Sequence, residues 1–196
     1  MEFEAVLRRR RMVRNFDDRS IPREIVDRLV ANGLRGPSAG FTQGVHLLVL
    51  NGPDQTGRYW DVSLPVGERE GFRWPGLLRA PLLVLAFADR QAYLDRYAEP
   101  DKGWVDRDPE RWRVPYWHVD AGFASLLVLL TAVDAGLGAL FFGVFRPEAV
   151  RAEFGVPERY DPTGAIAVGY PRPDEPSPSL ARGHRPPGEV VHRGGW

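Results

Sequence analysis

The segment Tyr116–Gly136, YWHVDAGFASLLVLLTAVDAG, is apolar around nearly its whole circumference when drawn as a helix. Such a helix needs packing partners on every side, because any face left in water exposes apolar side chains. A chain of 196 residues builds one substantial core, so this burial is easier if a second subunit covers one face. The longest uncharged run, Ala121–Val133, is shorter than the ~20 residues that cross a bilayer, which predicts a core helix.

Strands and helices are predicted to alternate along the rest of the chain. Short apolar runs bounded by turn residues predict buried strands at Val45–Asn51, Pro81–Ala88, Ala139–Phe145 and Gly164–Tyr170. Helical spacing of apolar residues predicts further helices at Glu2–Arg9, from Pro22 to Leu34, at Asp89–Tyr97 and at Pro147–Phe154. This order indicates a mixed α/β layered domain.

The composition excludes several kinds of site. Basic and acidic residues number 26 each, so the chain as a whole is not a polyanion binder. The absence of cysteine excludes disulfides, thiolate metal sites and cysteine nucleophiles. No histidine pair has metal-ligand spacing, and no G-x-S-x-G, P-loop or G-x-G-x-x-G fingerprint occurs, so we predict no metal site. The charged N-terminus, Glu2 to Arg8, is not typical of a signal peptide, and we expect a cytoplasmic protein.

Five arginines fall within the seven positions Arg8–Arg14, directly before Phe16 and two acids. Guanidinium groups at a bend can converge on one phosphate, each bond contributing about 1.5–3 kcal/mol. Solvated arginines at a helix C-terminus are the more common case, because the helix dipole favours them. A nucleic-acid contact is least favoured, because Asp17 and Asp18 dilute the patch. Lys102 is the only lysine, so arginine is the default cation of this chain and indicates less about purpose than usual.

Two glycine-rich segments have open interpretations. Gly36–Gly44, GPSAGFTQG, leads into a strand, and either it is a plain connection or its backbone approaches a ligand that Ser38 and Gln43 fix by hydrogen bonds. Ala135–Gly143, AGLGALFFG, either caps a helix or leaves backbone bare beside a flat ring. His118 and Asp120 flank the apolar helix, where they either touch a substrate or, as we favour, are satisfied polar groups at a helix start.

Two further segments have a surface character. Glu99–Val114 is charged, aromatic and broken by prolines, which predicts a long surface loop. The prolines after Tyr170 exclude a helix and a central strand, but the tail ends in apolar surface at Val190, Val191 and Trp196. We therefore predict an arm that docks on a surface, such as that of a second subunit.

In this order and spacing, the segments resemble the nitroreductase family of flavin-dependent oxidoreductases. Arg10–Phe16, RRMVRNF, followed by IP, looks like the family's opening R-R-S-x-R-x-F…V-P, and Gly36–Gly44 is similar to its A-P-S-x-x-N-x-Q-P loop. Ala132–Gly143 resembles its A-x-x-x-G-L-G-x-x-W-I-G segment, and Arg185–Trp196 resembles its R-x-P-x-x-E-V-V-H-x-x-x-W tail. Residues 53–117 match only in their pattern of elements.

The resemblance implies an α+β sandwich with a mixed central sheet flanked by helices, in an intertwined homodimer. Residues 1–170 would form the FMN-binding domain, and residues 171–196 an arm docked on the partner subunit. The flavin would carry the chemistry between NADH or NADPH and a nitroaromatic, quinone or similar flat acceptor, so no catalytic side chain is implied.

Site residues are carried over position by position. Arg10 would contact the FMN phosphate, Arg14 the N1–C2=O edge, and the backbone of residues 140–143 the N5–O4 edge. The implied cofactor-binding residues are Arg10, Arg11, Met12, Arg14, Pro37, Ser38, Ala39, Gln43, Leu140, Phe142, Gly143, Arg182 and Arg185. Those at positions 37–43 would come from the other subunit, and the last two arginines from the arm. The predicted substrate contacts are Phe41, Trp104 and Trp117.

Three positions depart from the family's pattern. Met12 stands where the family often has Ser, Phe41 where Asn is usual, and Gly44 where Pro is usual. Phe41 would stack on a substrate or partly fill the site. Three functions follow: an FMN-dependent NAD(P)H oxidoreductase, which we favour, a flavin-fragmenting enzyme of the dimethylbenzimidazole-forming type, and a non-catalytic flavin-binding protein.

Overall fold

The computed structural model describes the whole chain, residues 1–196, as seven α-helices and four β-strands. The strands are β1 (Val45–Asn51), β2 (Leu82–Asp89), β3 (Gly138–Phe142) and β4 (Tyr160–Gly169). The helices are α1 (Phe3–Arg9), α2 (Arg23–Gly33), α3 (Pro53–Ser63), α4 (Arg90–Tyr97), α5 (Tyr116–Asp134), α6 (Pro147–Phe154) and α7 (Pro187–Val190).

The strands form one sheet in the order β1-β2-β4-β3, with every neighbouring pair antiparallel. The α+β sandwich inferred from the sequence is confirmed, but the sheet differs from the expected mixed one. Its parallel component is a single bridge between Met12 and Ala139. The reason is that α3 and α6 each return the chain to a neighbouring, oppositely directed strand.

The sheet is buried on both faces. All eight residues of β2 are buried, and its side chains alternate between two apolar clusters. Leu83 and Leu85 pack with α3 and α6. Leu82 and Val84 pack with α2 and α5 on the other face. The near-continuous apolar run of β2 follows from this central position.

Helix α5 covers one face of the sheet but is not buried on all sides. Val128 is fully buried, whereas Phe123 and Leu126 are 41% and 45% exposed. By length and composition alone the 19-residue helix α5 could cross a membrane, but 56% of its most apolar 18-residue stretch is buried in the fold. It is therefore the core helix of this domain, with an apolar stripe left open. Coverage by a second subunit and a cytoplasmic location stay predictions.

Two sets of helical residues differ from the sequence-based predictions. No element was predicted at α3, and the prolines of the tail predicted no helix there, whereas α7 and a 3₁₀ turn at Pro178–Arg182 form. Pro53, Pro178 and Pro187 each begin one of these elements. At a first helical position the missing proline N–H has no intrahelical partner to lose, so proline favours a start there.

Replacing Val128 by Ala should lower the free energy of unfolding by roughly 2 kcal/mol, because two methyl groups leave a fully buried site between α5, α2 and the sheet. Val66→Ala is the control, since Val66 is 72% exposed and its loss should cost less than about 0.5 kcal/mol. Urea denaturation measures both. Equal costs would contradict this packing.

Candidate functional site

The arginine-rich segment lies along the edge strand β3. Met12 bridges Ala139, and the Val13 N–H donates to the Ala139 carbonyl at 3.0 Å. This close approach requires Gly138, because a Cβ there would lie 2.9 Å from Cγ2 of Val13. The fold thus brings together two predicted sets of cofactor residues, Arg10–Arg14 and Leu140–Gly143.

On β3, the side chains and the backbone have separate environments. Leu140 is buried, and the Phe142 ring stacks on Trp60 with centroids 5.9 Å apart and planes 10° apart. Both side chains pack into the α3–α6 cluster, while Gly143 is exposed. The groups that β3 presents at its outer edge are therefore backbone N–H and carbonyl groups.

The guanidinium groups beside this edge are largely unneutralised. Neither Arg10 nor Arg11 forms an ion pair, whereas the outer Arg8 pairs with Glu4 at 3.1 Å. Arg14 donates from Nη1 to the Met12 carbonyl at 3.0 Å. Since guanidinium stays charged at any accessible pH, the edge presents fixed positive charge.

Arg14 also lines a cavity of about 350 Å³ that the sequence did not predict. Its guanidinium lies 5.2 Å from the centre of the Trp74 ring, and that of Arg73 lies 4.8 Å from the same ring. Arg79 is fixed there by bonds to the Phe16 carbonyl at 3.1 Å and to Asn15 Oδ1 at 2.6 Å. Three cations thus face one cavity, together with the carboxylates of Asp174 and Glu175. Arg14 was predicted to bind the cofactor, but Arg73 and Arg79 come from a stretch without periodicity, where only the adjacent Arg73–Trp74 pair indicates them.

The root of the tail joins the same segment. The Arg14 N–H donates to Asp174 Oδ2 at 2.6 Å, and Asn15 Nδ2 donates to the Pro173 carbonyl at 2.5 Å. Arg172 Nη2 lies 2.8 Å from Asp17 Oδ2, and the hydrogen bond from Arg172 holds the pKa of that carboxyl below its usual value. Residues 14–17, near the N-terminus, therefore contact residues 172–174, at the start of the tail, beside the cavity.

The later part of the tail, which carries Arg182 and Arg185, does not line this cavity. Arg182 forms no ion pair, and Arg185 pairs within the arm with Glu189 at 3.3 Å. Both side chains are exposed, as is Trp196 at the end. Within one chain, the arm arginines are not brought to the cavity.

The loop Pro37–Gln43 lies at the opposite edge of the sheet, because it leads into β1. Strands β2 and β4 separate β1 from β3. Neighbouring strands lie about 4.8 Å apart, so roughly 14 Å separates the two edges. A single chain therefore does not bring the predicted loop residues to β3; these are Pro37, Ser38, Ala39 and Gln43.

The predicted substrate residues have three different environments. Phe41 projects from the loop and is 76% exposed. Trp104 is half-buried against Tyr97 and Trp112, with ring centroids 5.1 and 5.4 Å away. Trp117 is 7% exposed and packs on Trp112 in the core. Phe41 is therefore accessible to a ligand. Trp117 is buried, which favours a packing role over contact with a substrate.

The long loop at 99–114 is tied down around a single 3₁₀ turn, Pro109–Arg111. Arg96 forms a two-pronged pair with Asp101 at 2.7 and 2.8 Å and donates from Nε to the Gly40 carbonyl at 2.9 Å. Arg107 pairs with Asp95 at 2.8 Å. Arg96 of α4 therefore links the long loop to the 37–43 loop, because it bonds to both.

Comparisons with known proteins agree with this architecture. The family model described as "Nitroreductase family" matches residues 7–170. A Methanothermobacter thermautotrophicus protein, provisionally named NADH dehydrogenase/NAD(P)H nitroreductase, is 26% identical over 175 residues, covering 87% of this chain and 78% of that protein.

Solved structures show the same fold. A nitroreductase family protein from Clostridium difficile superposes with a TM-score of 0.73 at 20% identity, covering 100% of both chains. A Staphylococcus epidermidis protein, provisionally named NAD(P)H:FMN oxidoreductase, gives 0.73 at 21% identity, covering 98% of this chain and 95% of that one.

Replacing Arg172 by Ala should release the root of the tail and speed protease cleavage after Tyr170 several-fold, because it removes the bonds to Asp17. Acid should act in the same direction. The depressed pKa of Asp17 means that its contribution is present above the usual carboxyl pKa and is lost as the pH falls through the lowered value. Arg185→Ala, which breaks a pair inside the arm, is the control, and equal cleavage of both variants would contradict the tether.

Proposed function

The chain belongs to the nitroreductase family of oxidoreductases, and from that premise we propose that it is an FMN-dependent NAD(P)H oxidoreductase acting on a flat acceptor such as a nitroaromatic or a quinone. The observation that carries the proposal is the pair of arginines without ion-pair partners along β3, Arg10 and Arg11, beside a cavity that three further arginines and two acids line. A phosphorylated, ring-bearing cofactor is the ligand that such a set of charges and a bare strand edge would suit.

The residues present fit FMN at both ends. Arg10 and Arg11 have no partner in the chain, so their donors are free for the phosphate. The cavity that holds Arg14 and Arg73 would take the pyrimidine edge of the ring. Beyond Ala139 the outer edge of β3 has no strand neighbour, so its backbone N–H groups are free to donate to the ring.

The roles of these groups are electrostatic and positional. Bound FMN supplies hydride acceptance from a reduced nicotinamide and electron delivery to the acceptor. Arg14 and Arg73 would place positive charge where reduction adds negative charge. The proposal needs no nucleophile or metal ligand from the protein.

A second copy of the chain completes the proposed site. The loop that carries Ser38, Phe41 and Gln43 leads into β1, and three strand spacings, about 14 Å, separate β1 from β3. The open apolar stripe of α5, with Phe123 and Leu126, supports an interface that brings the partner's loop over the ring. The arm formed by residues 171–196, exposed beyond its root, would dock on the same partner and deliver Arg182 and Arg185 to the phosphate.

The purified protein should be yellow, and anaerobic NADPH or NADH should bleach its flavin absorption. Arg10→Ala should raise the Kd for FMN about ten- to hundredfold, because it removes charge-assisted bonds to the phosphate. Fluorescence titration measures the change. Arg8→Ala is the control, since Arg8 faces solvent and Glu4. A protein that stays colourless after incubation with FMN would refute the proposal.

Oxygen-dependent breakdown of reduced FMN, followed by chromatography of the flavin, separates this activity from a flavin-fragmenting one. Stable flavin with acceptor reduction supports the proposal. Loss of flavin without acceptor reduction would assign the chain to the alternative.

Phe41→Asn should raise the KM for a nitroaromatic acceptor about three- to tenfold and leave the Kd for FMN unchanged, because an exposed ring that stacks on the acceptor is lost. Ferricyanide, which has no ring to stack, serves as the control acceptor and should be reduced at the wild-type rate. If turnover appears only after the substitution, Phe41 blocks the site and the wild-type chain is a flavin-binding protein.

A further inference from the structure

Asp120 is a buried carboxylate that the proposed chemistry does not use. It lies near the start of α5, is 3% exposed and forms no ion pair. One of its oxygens, Oδ2, accepts the Ala39 N–H at 2.8 Å and the Tyr93 O–H at 2.7 Å. A buried polar group without hydrogen bonds is costly, so these two hydrogen bonds are the main compensation for burying this side chain.

Two other buried polar groups on α5 bond to groups within helices. Ser125 donates to the Ala121 carbonyl one turn away, at 2.8 Å. Thr131 accepts from Asn32 of the adjacent helix α2, at 3.2 Å. Asp120 instead accepts a hydrogen bond from the backbone of an irregular loop, at Ala39, which indicates a task beyond completing the helix.

The loop that it contacts has an unfavourable backbone. Gly40, Phe41 and Gln43 have φ values of 62°, 55° and 56°, in the left-handed region that side chains rarely adopt. Inside the loop, the Gln43 N–H donates to Ser38 Oγ at 2.8 Å. Non-glycine residues persist in this region only where their surroundings hold them, and such places cluster at functional sites.

Tyr93 adds a second restraint from below. Its ring lies against Gly44, where a Cβ would come within 2.5 Å of Cε2. Burial and the hydrogen bond to Asp120 raise the pKa of the Tyr93 hydroxyl, so it keeps the proton that it donates. The ring and the hydroxyl together fix the end of the loop and the carboxylate beneath it.

We propose that Asp120 and Tyr93 are positioning residues that hold the 38–43 loop in its left-handed form, so that Ser38, Phe41 and Gln43 face the flavin and acceptor of the partner subunit. The inference rests on the proposed function. In this inference Asp120 and Tyr93 fix the conformation of the loop, and the loop residues themselves contact the flavin and the acceptor.

The test compares Asp120→Asn and Tyr93→Phe with Ser125→Ala, an equally buried polar change on α5 that does not touch the loop. Hydrogen exchange at the Ala39 amide reports loop order directly. Titration with FMN and steady-state kinetics with a nitroaromatic acceptor report the site. Melting temperatures and circular dichroism establish that each variant is folded.

We expect both variants of the pair to exchange the Ala39 amide about tenfold faster and to raise the acceptor KM about fivefold or more, because small displacements of positioning groups have large effects. The kcat should change less than about twofold, since the electron-transfer chemistry is the flavin's. Ser125→Ala should leave exchange and KM at wild-type values.

Two results would overturn the inference while the wild-type chain binds FMN. Faster exchange at Ala39 with unchanged KM would reduce the pair to a packing role, and unchanged exchange would show that the loop does not depend on it. A wild-type chain that binds no FMN would overturn the proposed function, and the inference with it. FMN binding by the wild-type chain, measured without any variant, distinguishes that outcome from the other two.

Discussion

The order of the strands, β1-β2-β4-β3, is the constraint on which the rest of the structure depends. It places the arginine-rich segment and the glycine-rich loop at opposite edges of one sheet. Helices cover both faces of the sheet, so the arginine-rich segment and the glycine-rich loop cannot contact each other through the core. The proposed site uses both, so its second part would come from another chain, and the exposed apolar stripe of α5 is the surface proposed for that contact.

At the β3 edge, the segment Arg10–Phe16 acts as the junction of the molecule. It binds β3 through Met12 and Val13, and the Phe16 N–H donates to the Gly76 carbonyl at 3.2 Å. The tail root adds hydrogen bonds to its other end. These backbone contacts fix the segment while leaving the charges of Arg10 and Arg11 free, which is the arrangement that recognition of a phosphate requires.

Much of the fold could be predicted, because β2 and α5 are near-continuous apolar runs in the sequence, and such runs indicate buried elements. The β3 edge was also predictable, since the Ala132–Gly143 segment is locally distinctive. The cavity arginines were not, because Arg73 and Arg79 lie in an irregular stretch, and their convergence with Arg14 is a tertiary fact. Asp120 was interpreted as a satisfied polar group, which is correct, but no spacing rule encodes a partner 81 residues away. Burial of Trp117 likewise depends on neighbours distant in sequence.

The most direct test of the central claim, that two chains build each site, is a mixed dimer. One chain carries Arg10→Ala and Arg14→Ala, the other carries Ser38→Ala and Gln43→Ala, and tandem tags isolate the heterodimer. Each homodimer should bind FMN weakly. The heterodimer retains one intact pairing of a β3 edge with a partner loop, so it should bind one FMN per dimer with wild-type affinity. A heterodimer that binds no better than either homodimer would contradict the account.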